Sequence, residues 1–257
     1  KYEGRFKDYK FHGHGTFSSP EGKMYEGRWK DNKYFGKGNL FFPDGEKYEG
    51  EFRDDKFHGK GKLTCPDGEK YEGEWKDGEF TGHGTYNSPD GEKYEGGWKD
   101  SEFHGKGIHT LPDGSRYEGR FKGGNRDGKG IITTPDGCKF VGKFKNDKAN
   151  GHGKITFKNA DVLEGEWKNG ERDSQATYTW SSGEKYVGEY VNDSIDGQGT
   201  YTFHDGFKLV GEFRDDEFWN GNEYDKEGTI IGRYVNGKYK TNKLQKPTPS
   251  SPVSNSH

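Results

Sequence analysis

A glycine returns every 23 residues along this chain. The series runs Gly4, Gly27, Gly50, Gly73, Gly96, Gly119, Gly142, Gly165, Gly188 and Gly211 without insertion or deletion, and Gly232 follows 21 residues later. Two residues behind each stands an aromatic ring: Phe6, Trp29, Phe52, Trp75, Trp98, Phe121, Phe144, Trp167, Tyr190, Phe213 and Tyr234. A fixed period in the range of roughly 20–50 residues specifies an array of like units, each burying its apolar face against its neighbours. Composition agrees. Only 26% of residues are apolar, aromatics make up 16%, and there are 43 glycines. That is too little aliphatic side chain for a deep core and too many regular rings for disorder.

Within one repeat, residues 47–52 alternate strictly. Tyr48, Gly50 and Phe52 share one face, and Lys47, Glu49 and Glu51 share the other. A polar connection over 53–58 leads to a second alternating run, 59–65, closed by Pro66-Asp67-Gly68. Asp-Gly between alternating runs is a hairpin signal, and it recurs at Asp44-Gly45, Asp90-Gly91, Asp113-Gly114, Asp136-Gly137 and Asp205-Gly206. The strand glycines are expected to make room for Trp or Phe rings of a neighbouring strand, with Gly59 and Gly61 facing Tyr48, Gly50 and Phe52. The predicted fold is all-β: an elongated, twisted, single-sheet antiparallel β-meander of about ten 23-residue hairpin repeats, on the order of 100 Å long at about 4.8 Å per strand. Residues 1–237 form the array and 238–257 a flexible, basic, Ser/Pro-rich tail.

The pattern Tyr-Glu-Gly-x-(Trp/Phe), then Gly-(Lys/His)-Gly, then Pro-Asp-Gly at a 23-residue step resembles the MORN repeat over residues 1 to about 237. The resemblance implies a twisted single-sheet scaffold that binds protein partners, in settings such as ciliary or flagellar axonemal radial spokes, membrane junctions, parasite cytoskeleton and myosin-binding adaptors. In some relatives such arrays precede kinase or methyltransferase domains, which are absent from this stretch. The chain opens inside a repeat at Lys1, which suggests sequence upstream. The eighth repeat departs from the pattern. Leu163 replaces Tyr, Asn159-Ala160 replaces Asp-Gly, and Ser174 and Ala176 replace both glycines of Gly-x-Gly. It is expected to be a weak seam.

Several chemistries are disfavoured. Net charge is −3; the four lysines after Gly237 carry +4, so the array itself is near −7. An acidic array does not suit nucleic acid. Cys65 and Cys138 stand 73 residues apart, too far to meet in a nearest-neighbour array, and read as free thiols. His12, His14, His58, His83, His104 and His152 flank Gly-x-Gly, but equivalent positions lie about 10 Å apart, two strand spacings, so they cannot share an ion. The column Glu3, Glu26, Glu49, Glu72, Glu95 and Glu118 reads as cross-strand ion pairing with the Lys or Arg found before the Tyr position in many repeats, at Lys47, Lys70, Lys93, Arg116 and Lys139. No nucleophile elbow, P-loop or Cys/His dyad is present, so the expectation is a non-enzyme with no metal and no cofactor. No run of about 18 apolar residues could form a membrane span.

The aromatic columns remain. Their plainer role is to fill the sheet's own face. A single layer cannot bury both faces, so some aromatic surface should stay open for a partner. Repeats 1–5 add Phe11, Tyr34, Phe57, Phe80 and Phe103 two residues before Gly-x-Gly, where repeats 6–9 have Arg126, Ala149, Arg172 and Ile195. The expected partner-binding set is this column with Tyr48, Phe52, Tyr71, Trp75, Tyr94 and Trp98, forming a concave groove for a helical or extended segment of a protein partner. The expected setting is a larger cytoplasmic, cytoskeleton-associated assembly, of the cilium or flagellum by resemblance. A rival expectation is a peripheral membrane tether holding acidic phospholipid headgroups through Lys37, Lys60, Lys106 and Lys129. In the tail, Thr248-Pro249 and Ser251-Pro252 read either as proline-directed phosphorylation sites or as plain linker.

Overall fold

The computed structural model describes residues 1–241, all-β and without a helix among them. They fall into two compact units, Lys1–Lys158 with Trp167–Glu171, and Asn159–Glu166 with 172–241. The strands are β1 Tyr2–Lys7, β2 Lys10–Ser18, β3 Met24–Lys30, β4 Lys33–Phe41, β5 Lys47–Arg53, β6 Lys56–Thr64, β7 Lys70–Lys76, β8 Glu79–Asn87, β9 Lys93–Lys99, β10 Glu102–Thr110, β11 Arg116–Lys122, β12 Asn125–Thr133, β13 Lys139–Lys145 and β14 Lys148–Thr156. Then follow β15 Val162–Lys168, β16 Glu171–Thr179, β17 Lys185–Val191, β18 Ser194–Thr202, β19 Lys208–Arg214, β20 Glu217–Tyr224, β21 Ile230–Val235 and β22 Lys238–Thr241. From β1 to β14 each strand pairs antiparallel with the next. The same holds from β16 to β22. The hairpin-repeat meander expected from the period is therefore present.

The hairpins close elsewhere than expected. Asp54-Asp55 is the tight connection, with φ of 50° and 67°. Two consecutive positive φ values belong to the type I′ turn, whose twist matches that of the flanking strands. β6 therefore starts at Lys56, and most of the predicted connection 53–58 is strand. Pro66-Asp67-Gly68 makes the other, wider turn, in which the Glu69 N–H donates to Asp67 Oδ1 at 3.0 Å. Gly59 also has a different role from the expected one. The β5–β6 register jumps from Gly50↔Gly61 to Glu51↔His58, so Gly59 sits in a bulge with φ +63°. A bulge residue in the left-handed region favours glycine.

The core is one aromatic layer on one face. It is a Tyr ring, not the expected Trp or Phe, that lies over the paired Gly50 and Gly61 of its own hairpin. Tyr48 is 0% exposed, and its hydroxyl donates to the Glu51 carbonyl at 2.9 Å. Phe57 stacks on its outer side with centroids 3.7 Å apart, and Trp75 meets its edge at 5.3 Å. Trp75 Nε1 donates to the Gly61 carbonyl at 3.1 Å. Each ring buried in this way contributes on the order of 1.5–3 kcal/mol.

A clamp ties successive hairpins together. The Tyr34 N–H donates to Asp55 Oδ1 at 2.7 Å while the Asp55 N–H donates back to the Tyr34 carbonyl at 3.3 Å. Asn32 and Asp147 hold Phe11 and Arg126 in the same way. Gly124 keeps only the backbone half, donating its N–H to the Phe103 carbonyl. Its φ is +76°, and a Cβ there would meet nothing within 4 Å. Asn tolerates that conformation, so Gly124→Asn should supply the missing acceptor and raise stability by about 0.5–1 kcal/mol, read in a thermal melt. An unchanged melting temperature would count against the clamp.

In the second unit the eighth repeat has replaced its lost features. Leu163 and Ala176 are both buried, at 7% and 6% exposed. Ala160 takes φ +69° in the turn. Buried Asp161 accepts from the Ser181 N–H and the Tyr178 hydroxyl, both at 2.8 Å, which hold its carboxyl below the usual range. Near the C-terminus, Gly211 faces Gly221. Lys238–Thr241 forms β22 against β21, so the array runs past residue 237 into the predicted tail. Residues 242–257, with Thr248-Pro249 and Ser251-Pro252, lie outside the described residues.

Candidate protein-binding surfaces

The sequence-predicted residues separate into two depths. Tyr48 and Tyr94 are 0% exposed, Phe52 and Tyr71 2%, Trp75 4% and Trp98 6%. They are the layer itself. Phe11, Phe57, Phe80 and Phe103 lie outside it, half-buried, stacked at 3.7–3.8 Å on Tyr2, Tyr48, Tyr71 and Tyr94 respectively. Tyr34 stacks on Tyr25 at 3.9 Å but is buried, at 8% exposed. The column therefore carries packing as well as surface. Its loss in the sixth repeat has a physical counterpart: the Arg126 guanidinium stands 5.7 Å from the Tyr117 centroid and 5.5 Å from that of Phe144, the rings corresponding to those Phe103 meets upstream. Arg126 also bonds Asp147 at 3.1 Å.

The opposite face carries the charged columns. Its ion pairs run along strands as well as across them: Lys47 Nζ reaches Glu49 Oε1 at 2.8 Å and Arg116 reaches Glu118 at 3.0 Å, whereas Lys62 crosses to Glu72 at 3.8 Å. These pairs are solvated and worth about 0–1 kcal/mol each. Across β8–β14 this face holds a trough of about 870 Å³. Ile108, Ile131 and Val141 lie in it beside Lys106, Arg120, Lys129 and Lys143. The sequence reading named Lys106 and Lys129, as headgroup ligands, but missed the aliphatic residues beside them, although the signal was available. Ile108 and Ile131 interrupt a column of Thr, Asn and Lys, and Val141 interrupts the Glu column.

Other constellations hold less. Cys65 and Cys138 are free thiols. Cys65 Sγ and the carboxylates of Asp67 and Glu69 lie within 4.8 Å of one another. Burial, reinforced by Glu46 and Glu69, pushes the Cys65 thiol pKa up, away from the thiolate that ligates metals. His58 Nδ1 stands 3.6 Å from Asp77 and His109 Nε2 is 2.6 Å from Glu92. Each is a one-to-one contact.

The sequence pattern described as MORN repeat matches nine consecutive segments: 2–24, 25–47, 48–70, 71–93, 94–116, 117–139, 140–162, 164–185 and 186–208. No curated protein sequence matches the chain. Among solved structures, it is similar to the TCP domain of Drosophila melanogaster SAS-4 in complex with a proline-rich motif of Ana2. Identity is 14% and the TM-score 0.40, over 60% of this chain and 85% of that one. It is also similar to the TCP10 domain of Danio rerio CPAP, at 13% identity and a TM-score of 0.35, over 86% of this chain and 99% of that one. With TM-scores this low, nothing further rests on these likenesses.

Proposed function

This chain belongs to the MORN repeat family, and from that premise we propose that it is a non-enzymatic scaffold that captures a helical or extended segment of a protein partner within a cytoskeletal assembly, of the cilium or flagellum in the finer form of this reading. One observation carries it. Phe11, Phe57, Phe80 and Phe103 form a row in which each ring is packed on one side and partly open on the other, at equivalent places of alternate strands. Rigid aromatic rings at the surface of an ordered layer offer contact area at low entropic cost. Phe57 and Phe80 are the centre of the row.

The test keeps the rings. Benzoylphenylalanine placed at Phe57 or Phe80 should photo-cross-link one discrete protein from a cytoskeletal extract, and the same probe at Val187 should not. If the protein retains a partner from the extract but neither ring position cross-links to it, the aromatic row is the wrong surface.

A further inference from the structure

We propose that the face opposite the aromatic layer carries a separate docking site, on β10–β13, for an acidic amphipathic helix of a protein partner. The proposal stands on its own observations and does not need the aromatic row. In β10 and β11, Lys106 is directly opposite Arg120, and in β12 and β13, Lys129 is directly opposite Lys143. All four are exposed. Like charges facing each other across a strand pair are destabilising. The same register positions elsewhere avoid this: Lys37 faces Glu51, Lys60 faces Glu74 and Gln175 faces Glu189. At this register position an array that is acidic overall places its facing cations on four adjacent strands; other facing cations, such as Lys7 with Lys10 and Lys30 with Lys33, flank the tight turns.

Beside this cationic row runs an apolar one. Ile108, Ile131 and Val141 lie two residues along the same strands, and Val141 is 43% exposed. Ile131 and Val141 face each other directly. Two acids share the trough. Glu118 interrupts the apolar row on β11 and is tied to Arg116, and Glu95 lies on β9, outside the four strands. Gly97 stands opposite His83 where the next two repeats have Arg120 and Lys143, so the cationic row has no side chain at β9. The site offers positive charge along one edge and aliphatic surface along the other.

The spacing selects the occupant's conformation. Both rows cross the strands, so their residues repeat at about 4.8 Å. A helix presents one residue per turn along a face, at about 5.4 Å. Over four strands the two spacings diverge by less than about 2 Å. An extended segment presents same-face residues at roughly 6.8 Å and loses register after one step. Aliphatic residues on one helical stripe and carboxylates on the next would meet the two rows together, the groove mode of helix recognition.

The probe is an 18-residue synthetic helix with Leu on one stripe and Glu on the adjacent one. Its controls are the same peptide with Gln for Glu and phosphatidylserine vesicles. With the full chain, the Glu peptide should bind at least tenfold more tightly than the Gln peptide and lose affinity as salt rises. Lys129→Glu with Lys143→Glu should lower its affinity at least tenfold, and so should Lys106→Glu with Arg120→Glu. Both variants should keep the far-UV spectrum, since each exchanges one facing like-charge pair for another on exposed side chains. Lys37→Glu with Lys60→Glu, on the same face, should change affinity less than twofold. Equal binding of the two peptides, no binding by either, or equal loss in the Lys37/Lys60 variant would overturn the site. Vesicles that displace the peptide would reassign the patch to a lipid surface and also overturn it.

Discussion

Gly61→Ala should lower the stability of the first unit by about 3 kcal/mol, at the upper end of what overpacking a filled core costs. The backbone at Gly61 is ordinary extended strand, so the effect is one of space alone. A Cβ there would lie 2.5 Å from Tyr48 Cζ and 2.7 Å from Cε2. The ring cannot retreat, because Phe57 stacks on its other side and Phe52 and Trp75 hold its edges. The molecule contains the remedy. In the eighth repeat Ala176 occupies the position of Gly61, and Leu163 occupies that of Tyr48. Tyr48→Leu should therefore be costly alone, at about 2–3 kcal/mol, yet combine with Gly61→Ala at well under the sum. A coupling of at least about 1 kcal/mol in a double-mutant cycle on the chemical-unfolding midpoint is expected. Additivity within about 0.5 kcal/mol would show that the ring and the glycine do not share one space.

The tyrosine layer should make the fold fail at high pH in one step. Burial pushes the phenol pKa of Tyr94 and Tyr186 up to about 12, and those of Tyr25, Tyr48 and Tyr71 up as well. The unfolded value is near 10. A raised pKa means that the folded state holds the proton more tightly, so this stability is complete below about pH 10 and is lost as pH rises through the folded pKa. Several such phenols act together, and every tenfold gain in a phenol's hold on its proton adds at most about 1.4 kcal/mol. Between about pH 10 and 12, loss of β-sheet signal should coincide with a steep rise in tyrosinate absorbance. Smooth titration of independent tyrosines near pH 10 with an unchanged circular dichroism spectrum would refute the account.

Much of the fold was legible because the period is strict. Tyr48, Gly50 and Phe52 alternate, and alternation fixes their shared face whatever surrounds them. The turn at Asp54-Asp55 was legible in principle. Asp77-Gly78, Asn169-Gly170 and Asn236-Gly237 stand at the same phase and are standard type I′ pairs. The Pro-Asp-Gly turn, being more frequent, is the stronger signal and masks them. The bulge at Gly59 was not legible, since a glycine under a ring and a glycine with positive φ look alike in sequence. The bulge also shifts the register across the tight hairpins, as between Phe103 and Gly107, and that shift could not be counted from the sequence. Nor could sequence show that Arg126 lies over the rings where repeats 1–5 have an aromatic residue.

Among the described residues, the strands from β1 to β14 and from β16 to β22 pair with their chain neighbours, and the clamp from Asp55 to Tyr34 spans just 21 residues. This bears on how the protein is made. A hairpin leaving the ribosome finds the edge it must join already emerged and already folded, and waits for nothing downstream. Such short-range closure favours fast folding. The growing edge of the sheet is also exposed for only about one repeat's worth of synthesis, on the order of seconds at 5–20 residues per second. A chain rich in strand edges and glycine is thereby spared the long interval in which unpaired edges find the wrong partner.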